Sequence, residues 1–320
     1  MKHSVKITAI LIIMFFVTQL IGLAVIYAYM PHITQVEING TLQNVTTNPL
    51  PYGMQPPENI EKDTSLISII VAFVIAISFV FLLTKLKAAL FMRLWFFFVV
   101  VIVLGIAFNA VLQYLIDSLL ISSLISLTIA LPLAIFKVFK QNMWVHNFTE
   151  LLIYPGIAVV FIPLLNIWSA IALLILISIY DIWAVWHSGL MQKMAKFQIQ
   201  EMKVFAGFFV PYMNKKQRAL VKEAKLSKSK NLKLKDRKMK VSVAILGGGD
   251  VVFPIITAGV IFYTLGFIPS LIVSLCATIA LLGLFIFARK GKFYPAMPFI
   301  TAGLFIGIGL AYIAAYLIKL

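Results

Sequence analysis

The sequence predicts an all-α, polytopic membrane protein with nine transmembrane helices, its N-terminus cytoplasmic and its C-terminus outside. Hydrophobic residues make up 62% of the 320 residues, and the mean hydropathy is +1.02. They gather into stretches long enough to cross a bilayer, which takes about 20 apolar residues. Basic residues concentrate in every second connection, a pattern that sets the orientation of membrane proteins.

Nine stretches qualify as spans. The first is 23 residues long, which exceeds the apolar core of a signal peptide, so we expect it to stay as a helix. The fifth is the shortest, and its boundary with the sixth falls at 163–166. The predicted spans are 7–29, 65–83, 94–116, 118–136, 151–165, 167–189, 241–263, 269–288 and 297–318.

Charge divides the connections into two classes. Lys and Arg precede the first span and follow the second, fourth, sixth and eighth, whereas the connections after spans three, five and seven contain neither. The segment 31–64 has one Lys against four acids, and its five prolines predict an irregular outer loop. The predicted organisation is therefore six helices with this outer loop (1–190), a basic cytoplasmic loop (191–240) and three helices (241–320).

The basic loop carries most of the net charge. Residues 193–240 hold 15 Lys and Arg against 3 acids, a net of +12 out of +16. Because this segment joins two spans on the cytoplasmic side, the lipid bilayer is its expected partner, and we expect no nucleic acid. Its apolar first part, 202–213, is expected to lie in the membrane interface.

Two aspartates lie inside predicted spans. The chain has only 11 acidic residues, most of them in polar connections, and Glu150 lies near a predicted helix end. Asp181 lies in span six and Asp250 in span seven. A carboxylate inside hydrocarbon costs several kcal/mol, so such residues are rare and usually functional. Each lies about nine residues from the cytoplasmic end of its span, which puts both about 13 Å deep if the spans are helical.

Two carboxyls at equal depth on antiparallel helices can form one site. In contact they cannot easily both ionise, so they share one proton. The ionised carboxylate then acts as general base on a water, while the protonated one donates a hydrogen bond to the scissile carbonyl. This is aspartic-protease chemistry, and we expect neither a metal nor a cofactor.

The residues around Asp250 predict an opened backbone. Gly247, Gly248 and Gly249 precede it, and each costs a helix about 1 kcal/mol relative to Ala. Pro254 lacks the N–H that would bond the carbonyl of Asp250. A weak helix start could accept an extended peptide by strand pairing, although the glycines could instead serve only close helix packing.

Two further groups are candidates for support of the site. Tyr180 could hydrogen-bond a carboxyl, or it could serve only as a packing aromatic. Between spans eight and nine, Pro295 and Pro298 impose an extended or kinked entry on Ala296 and Met297. Composition alone makes that entry a helix start.

These residues resemble a known family. Tyr180-Asp181, Gly247 to Asp250, and Pro295-Ala296 resemble the YD, GxGD and PAL signatures of presenilin and signal peptide peptidase, in the same order and over nearly the whole chain. The resemblance implies that Asp181 and Asp250 are the catalytic dyad of an intramembrane aspartyl protease. It implies a supporting or substrate-binding role for Tyr180, Gly247, Gly249, Pro295, Ala296 and Met297, the last of which stands where leucine is expected.

The compact chain resembles microbial, archaeal homologues, and the orientation resembles that of presenilin. The resemblance implies transmembrane-helix substrates and a place in the cell membrane, and it leaves self-association and accessory subunits open. A prepilin peptidase also uses a GxGD aspartate, but nine spans and Pro295-Ala296 argue against it. A proton-coupled transporter or ion channel remains the alternative, because intramembrane aspartates also carry protons and ions.

Overall fold

The computed structural model describes residues 5–38, 41–47, 50–54, 64–86, 88–140, 142–186, 205–212, 242–288 and 294–319. Within these ranges the chain forms nine α-helices and two β-hairpins. The helices are α1 (Val5–Ala28), α2 (Thr64–Lys85), α3 (Ala89–Leu112), α4 (Leu119–Ile135), α5 (Met143–Phe161), α6 (Ile167–Trp186), α7 (Gly248–Leu265), α8 (Phe267–Phe287) and α9 (Met297–Lys319). The strands are β1 (His32–Ile38), β2 (Thr41–Thr47), β3 (Gly207–Tyr212) and β4 (Ser242–Gly247).

Eight of the described helices are long and apolar enough to cross a membrane, which makes the chain an integral, multi-pass membrane protein. They are α1 and α3 to α9, with α4 extended by a π-helix (Phe136–Lys140) and α5 by a 3-10 turn (Ile162–Leu164). Helix α2 occupies the place of the second predicted span. The predicted basic loop, 191–240, lies outside the described residues except for Phe205 to Tyr212.

Helix α7 lies at the centre of the bundle. It packs against α1, α5, α6, α8 and α9. In its apolar stretch of 18 residues 67% are buried, against 28% in the corresponding stretch of α6. A helix that is covered on all sides has to be apolar all round, and the run from Val251 to Phe262 is almost entirely buried. Asp250, at the beginning of this helix, therefore starts the most enclosed element of the fold.

The prediction for the seventh span was wrong over its first residues. We expected helix across 241–263, whereas Ser242–Gly247 is strand β4, which pairs antiparallel with β3 in the register Phe209↔Ile245. A short apolar run does not by itself distinguish a strand from a buried helix. Here the apolar partner strand β3 and the glycines after Leu246 favour the strand.

The outer segment is more regular than predicted. We expected an irregular loop over 31–64, but strands β1 and β2 form an antiparallel hairpin within it, with His32 opposite Thr47. Its strands are rich in Ile, Val and Thr, residues typical of strands. Asn39-Gly40, which separates them in the sequence, is a dipeptide favoured in two-residue hairpin connections.

The fifth span begins eight residues earlier than predicted, at Met143. Its added residues include Glu150, which we placed near a helix end but which is fully buried. Its Oε1 lies 2.5 Å from Nζ of Lys137, which we had assigned to a solvated cytoplasmic connection. Because each charge neutralises the other, the fold can bury Lys137 of the π-helix and Glu150 of α5 together in the apolar interior.

Removing one member of this pair is expected to destabilise the fold. Lys137→Met leaves the carboxylate of Glu150 buried without its cation, which typically costs about 3–5 kcal/mol. We expect a clear fall in the midpoint of thermal unfolding in detergent. The double variant Lys137→Met/Glu150→Leu removes both charges and should recover most of that loss; a wild-type midpoint for Lys137→Met alone would contradict the ion-pair account.

Candidate active site

Asp181 lies on α6 and receives its hydrogen bonds from the start of α9. The backbone N–H of Met297 donates to Oδ2 of Asp181 over 3.0 Å, and the backbone of Ala296 provides a second hydrogen bond. The carbonyl of Ala296 accepts the N–H of Ile300, so Met297 is the first residue inside the helix. Its N–H is one of those that a helix start leaves without an internal partner.

Asp250 is the third residue of α7, after the N-cap Gly247. Its carboxylate accepts a hydrogen bond from the backbone of Gly247, which is the return half of a capping box. An acidic side chain in the first turn also suits the positive end of the helix dipole. The same geometry that begins the helix therefore holds this carboxylate in place.

The two carboxylates belong to one site. Asp181 lies close enough to Asp250 for its charge to act on that side chain. The helical spacing from which we estimated the depth of Asp250 does not apply, because residues 242–247 form a strand rather than helical turns. The approach comes instead from the packing of α7 against α6 and α9.

A second polar contact ties α6 to α9 one turn away. The hydroxyls of Ser178 and Thr301 lie 2.8 Å apart and are buried. Ser178 lies one turn before Asp181 on α6, and its hydrogen bond goes to Thr301 of α9, which nothing in the sequence singles out. Because the two residues lie one turn from Asp181 and Met297, this bond supports the same helix contact.

The three glycines before Asp250 have different surroundings. A Cβ at Gly247 would lie 3.2 Å from Oδ2 of Asp250, and one at Gly248 would lie 2.8 Å from the ring of Tyr154. A Cβ at Gly249 would meet only Phe253, at 3.8 Å. Gly247 and Gly248 are therefore required for close approach, whereas Gly249 borders open space.

The other predicted support residues differ in how directly they contact the two aspartates. Tyr180 is half-buried, and its ring lies 6.4 Å from that of Trp183. Pro295 directly precedes the two donors of Asp181, and Met297 is buried at the helix start. Pro254 lies inside α7, where its missing N–H leaves the Asp250 carbonyl without the usual helical partner.

Sequence reasoning missed two residues beside the site. Tyr154 of α5 is buried and packs its ring on the backbone of Gly248. Gln19 of α1 is completely buried and donates a hydrogen bond over 3.2 Å to the carbonyl of Val251. A glutamine within a span is a signal that could have been noticed, since polar residues are expensive there.

No group of three or more His, Cys, Asp or Glu side chains is placed to hold a metal ion in the part of the chain that the structure describes. At the site itself, two neighbouring carboxyl groups are bound by backbone amides. Such a pair can exchange a proton with a water held between them.

Comparison with known families shows to which family the chain belongs. Residues 42–317 match the family described as signal-peptide peptidase, presenilin aspartyl protease. The chain belongs to that family. It is an intramembrane aspartyl protease, a hydrolase, and this supports the protease interpretation over the transporter or channel alternative.

Solved structures show the same fold. The chain is similar to a presenilin family intramembrane aspartate protease in the C222 space group, with 16% identity, a TM-score of 0.59, and coverage of 96% of this chain and 99% of that one. The P2 form gives 15% identity, a TM-score of 0.56, and coverage of 95% and 96%. None of the curated proteins compared with the chain matches it.

The contact between Gly247 and Asp250 makes a prediction. In Gly247→Ala the new methyl group has to displace the Asp250 carboxylate by a few tenths of an ångström. We expect kcat for cleavage of a single-span reporter to fall about tenfold or more, since small misplacements of catalytic groups are costly. Gly309→Ala, where a Cβ meets nothing within 4 Å, is the control; equal activity in the two variants would contradict the assignment.

Proposed function

We propose that Asp181 and Asp250 are the catalytic dyad and that the enzyme hydrolyses peptide bonds within the transmembrane segments of its substrates. The observation that carries this proposal is that the charge of Asp181 reaches Asp250 while each carboxylate is bound by backbone at the start of a helix. Burial of an ionised group requires such donors. Fixed donors also leave the remaining carboxylate oxygens available to a water and a substrate.

The reaction needs only this pair and a water. The ionised carboxylate takes a proton from the water, whose oxygen attacks the scissile carbonyl carbon, while the protonated carboxyl donates to the carbonyl oxygen. The tetrahedral intermediate then breaks its C–N bond, and the leaving amine takes up the proton that the base received. As the carbonyl re-forms, one hydroxyl of the intermediate returns a proton to the carboxylate that had acted as acid. The products are a new carboxyl terminus and a new amine, and the dyad returns to its singly protonated state.

Substrate presentation is assigned to the outer edge of β4. The N–H and C=O of Phe209 bond Asn147 rather than β4, so the register places the N–H and C=O of its opposite residue, Ile245, on the side of β4 away from β3. The side chains of Val243 and Ile245 are 43% and 42% exposed. An extended substrate that pairs with this edge is led directly to Gly247 and Asp250.

We assign the remaining support roles by position. Pro295, Ala296 and Met297 hold Asp181, Gly247 holds Asp250, and Gly249 leaves room for a substrate backbone. Tyr180 is assigned to the wall of the site beside Asp181. Nine spans with a cytoplasmic N-terminus and an outer C-terminus remain our proposed topology, supported by the Lys and Arg pattern even without the buried Lys137. The cell membrane is the proposed location.

Loss of either carboxylate is expected to abolish cleavage. Asp181→Asn and Asp250→Asn keep the size of the side chain, so each should fold, and we expect the kcat for a single-span reporter in liposomes to fall by about a thousandfold or more. The double variant should be no less active than either single one, because the two groups act as a unit. Substantial cleavage by either single variant would refute the dyad.

The β4 edge can be tested with a proline. Ile245→Pro removes an N–H that faces away from the partner strand β3. The native Pro211 of β3, opposite Val243, likewise lacks an N–H on the side away from its partner strand, so the hairpin should persist. We expect kcat/KM to fall about tenfold, chiefly through KM. Ile245→Ala controls for the lost side chain and should have a much smaller effect; identical values for the two variants would argue against strand pairing at this edge.

A further inference from the structure

Helix α5 holds the β3–β4 hairpin through polar side chains. The side-chain amide of Asn147 binds both backbone groups of Phe209: Nδ2 donates to its carbonyl over 2.8 Å, and its N–H donates to Oδ1 over 3.0 Å. This is the pattern that a neighbouring strand would provide. Asn147 thus occupies the edge of β3 that does not face β4.

A second bond lies two residues earlier on β3, at Gly207, whose backbone groups face the same side of the strand as those of Phe209. Nε2 of His146 lies 2.7 Å from the carbonyl of Gly207, and Nδ1 lies 3.3 Å from Nζ of Lys137. An ammonium group only donates, so Nδ1 is the acceptor and Nε2 carries the proton that is donated to Gly207. Glu150 forms an ion pair with Lys137. This buried pair therefore fixes the tautomer of His146 that donates to the carbonyl of Gly207 in β3.

Backbone hydrogen bonds connect the segment held by α5 to Asp250. Strand β3 pairs with β4 up to Gly207↔Gly247, and the N–H of Gly248 donates to the carbonyl of Ala206 over 3.3 Å. Gly247 in turn binds the carboxylate of Asp250. Hydrogen bonds, joined by the backbone between neighbouring residues, thus connect α5 through the hairpin to the beginning of α7.

We propose that Asn147 and His146 are positioning residues that hold the β3–β4 hairpin on α5 and thereby fix both Asp250 and the substrate-pairing edge of β4. This rests on the proposed function of Asp250 and of that edge. A hairpin of two six-residue strands is marginal by itself, so its placement depends on what it is bound to. Neither residue touches the substrate; both act through backbone.

The test compares two asparagines of the same helix. Asn147→Ala removes the bonds to Phe209. Asn142→Ala, the control, removes the N-cap bonds to Trp144 and Val145 and has no contact with the hairpin among the described hydrogen bonds. Both are expected to lower the thermal midpoint, because each exposes unsatisfied backbone groups.

The two variants are expected to differ in proteolytic activity. With a single-span reporter in liposomes, well below the midpoint, we expect kcat/KM to fall about tenfold or more in Asn147→Ala, with product masses spread over adjacent bonds. Asn142→Ala should stay within about twofold of wild type and keep one cut position. Hydrogen exchange in a peptide covering 205–212 should accelerate only in Asn147→Ala.

Several results would overturn the proposal. Wild-type kcat/KM and cut positions in Asn147→Ala would do so, as would losses in Asn142→Ala equal to those in Asn147→Ala. Asn147→Asp keeps the acceptor for the Phe209 N–H and should recover part of the lost activity; if Asn147→Ala does not fold, wild-type values in Asn147→Asp would overturn it instead. Asp250→Asn in the same assay tests the proposed function separately, and the exchange measurement needs no activity.

Discussion

The structure depends on where a buried carboxylate can find hydrogen-bond donors. Inside a helical bundle nearly every backbone N–H is used within its own helix, and only helix starts leave some free. Asp181, in the second half of α6, therefore requires another helix to begin at its depth, and α9 does so at Met297. Asp250 finds its donor within its own element, because α7 begins two residues before it and the N-cap Gly247 offers its backbone N–H. The positions of the two aspartates therefore determine where α7 and α9 have to begin.

The hairpin follows from this constraint. If α7 has to begin at Gly248, the preceding residues cannot continue as helix, and as an isolated strand they would leave peptide groups unpaired in the interior. Strand β3 pairs with one edge of β4, and α5 supplies side chains for the far edge of β3. The polar residues of α5, costly in an apolar helix, are stabilised by Lys137, Glu150 and the backbone they bind.

Much of the fold and part of the site could be predicted from the sequence. Apolar length located the helices, and the rarity of acids in such stretches identified Asp181 and Asp250. Strand β4 could not be predicted, because an apolar run of six residues fits a strand or a helix and its partner lies more than 30 residues away. His146 and Asn147 were missed for a similar reason: their partners, Gly207 and Phe209, lie about 60 residues further along the chain, and nothing local indicates that two polar residues near a helix start face another backbone.

The most direct test of the central claim is a binding measurement that needs no turnover. A peptide containing a hydroxyl transition-state isostere should bind by bridging both carboxyls, so its Kd is measured by calorimetry for the wild type, Asp181→Asn, Asp250→Asn and the double variant. The account predicts that each single variant loses most of the affinity and that the double variant loses little more, because the groups form one site. Wild-type affinity in either single variant, or losses that simply add, would contradict it.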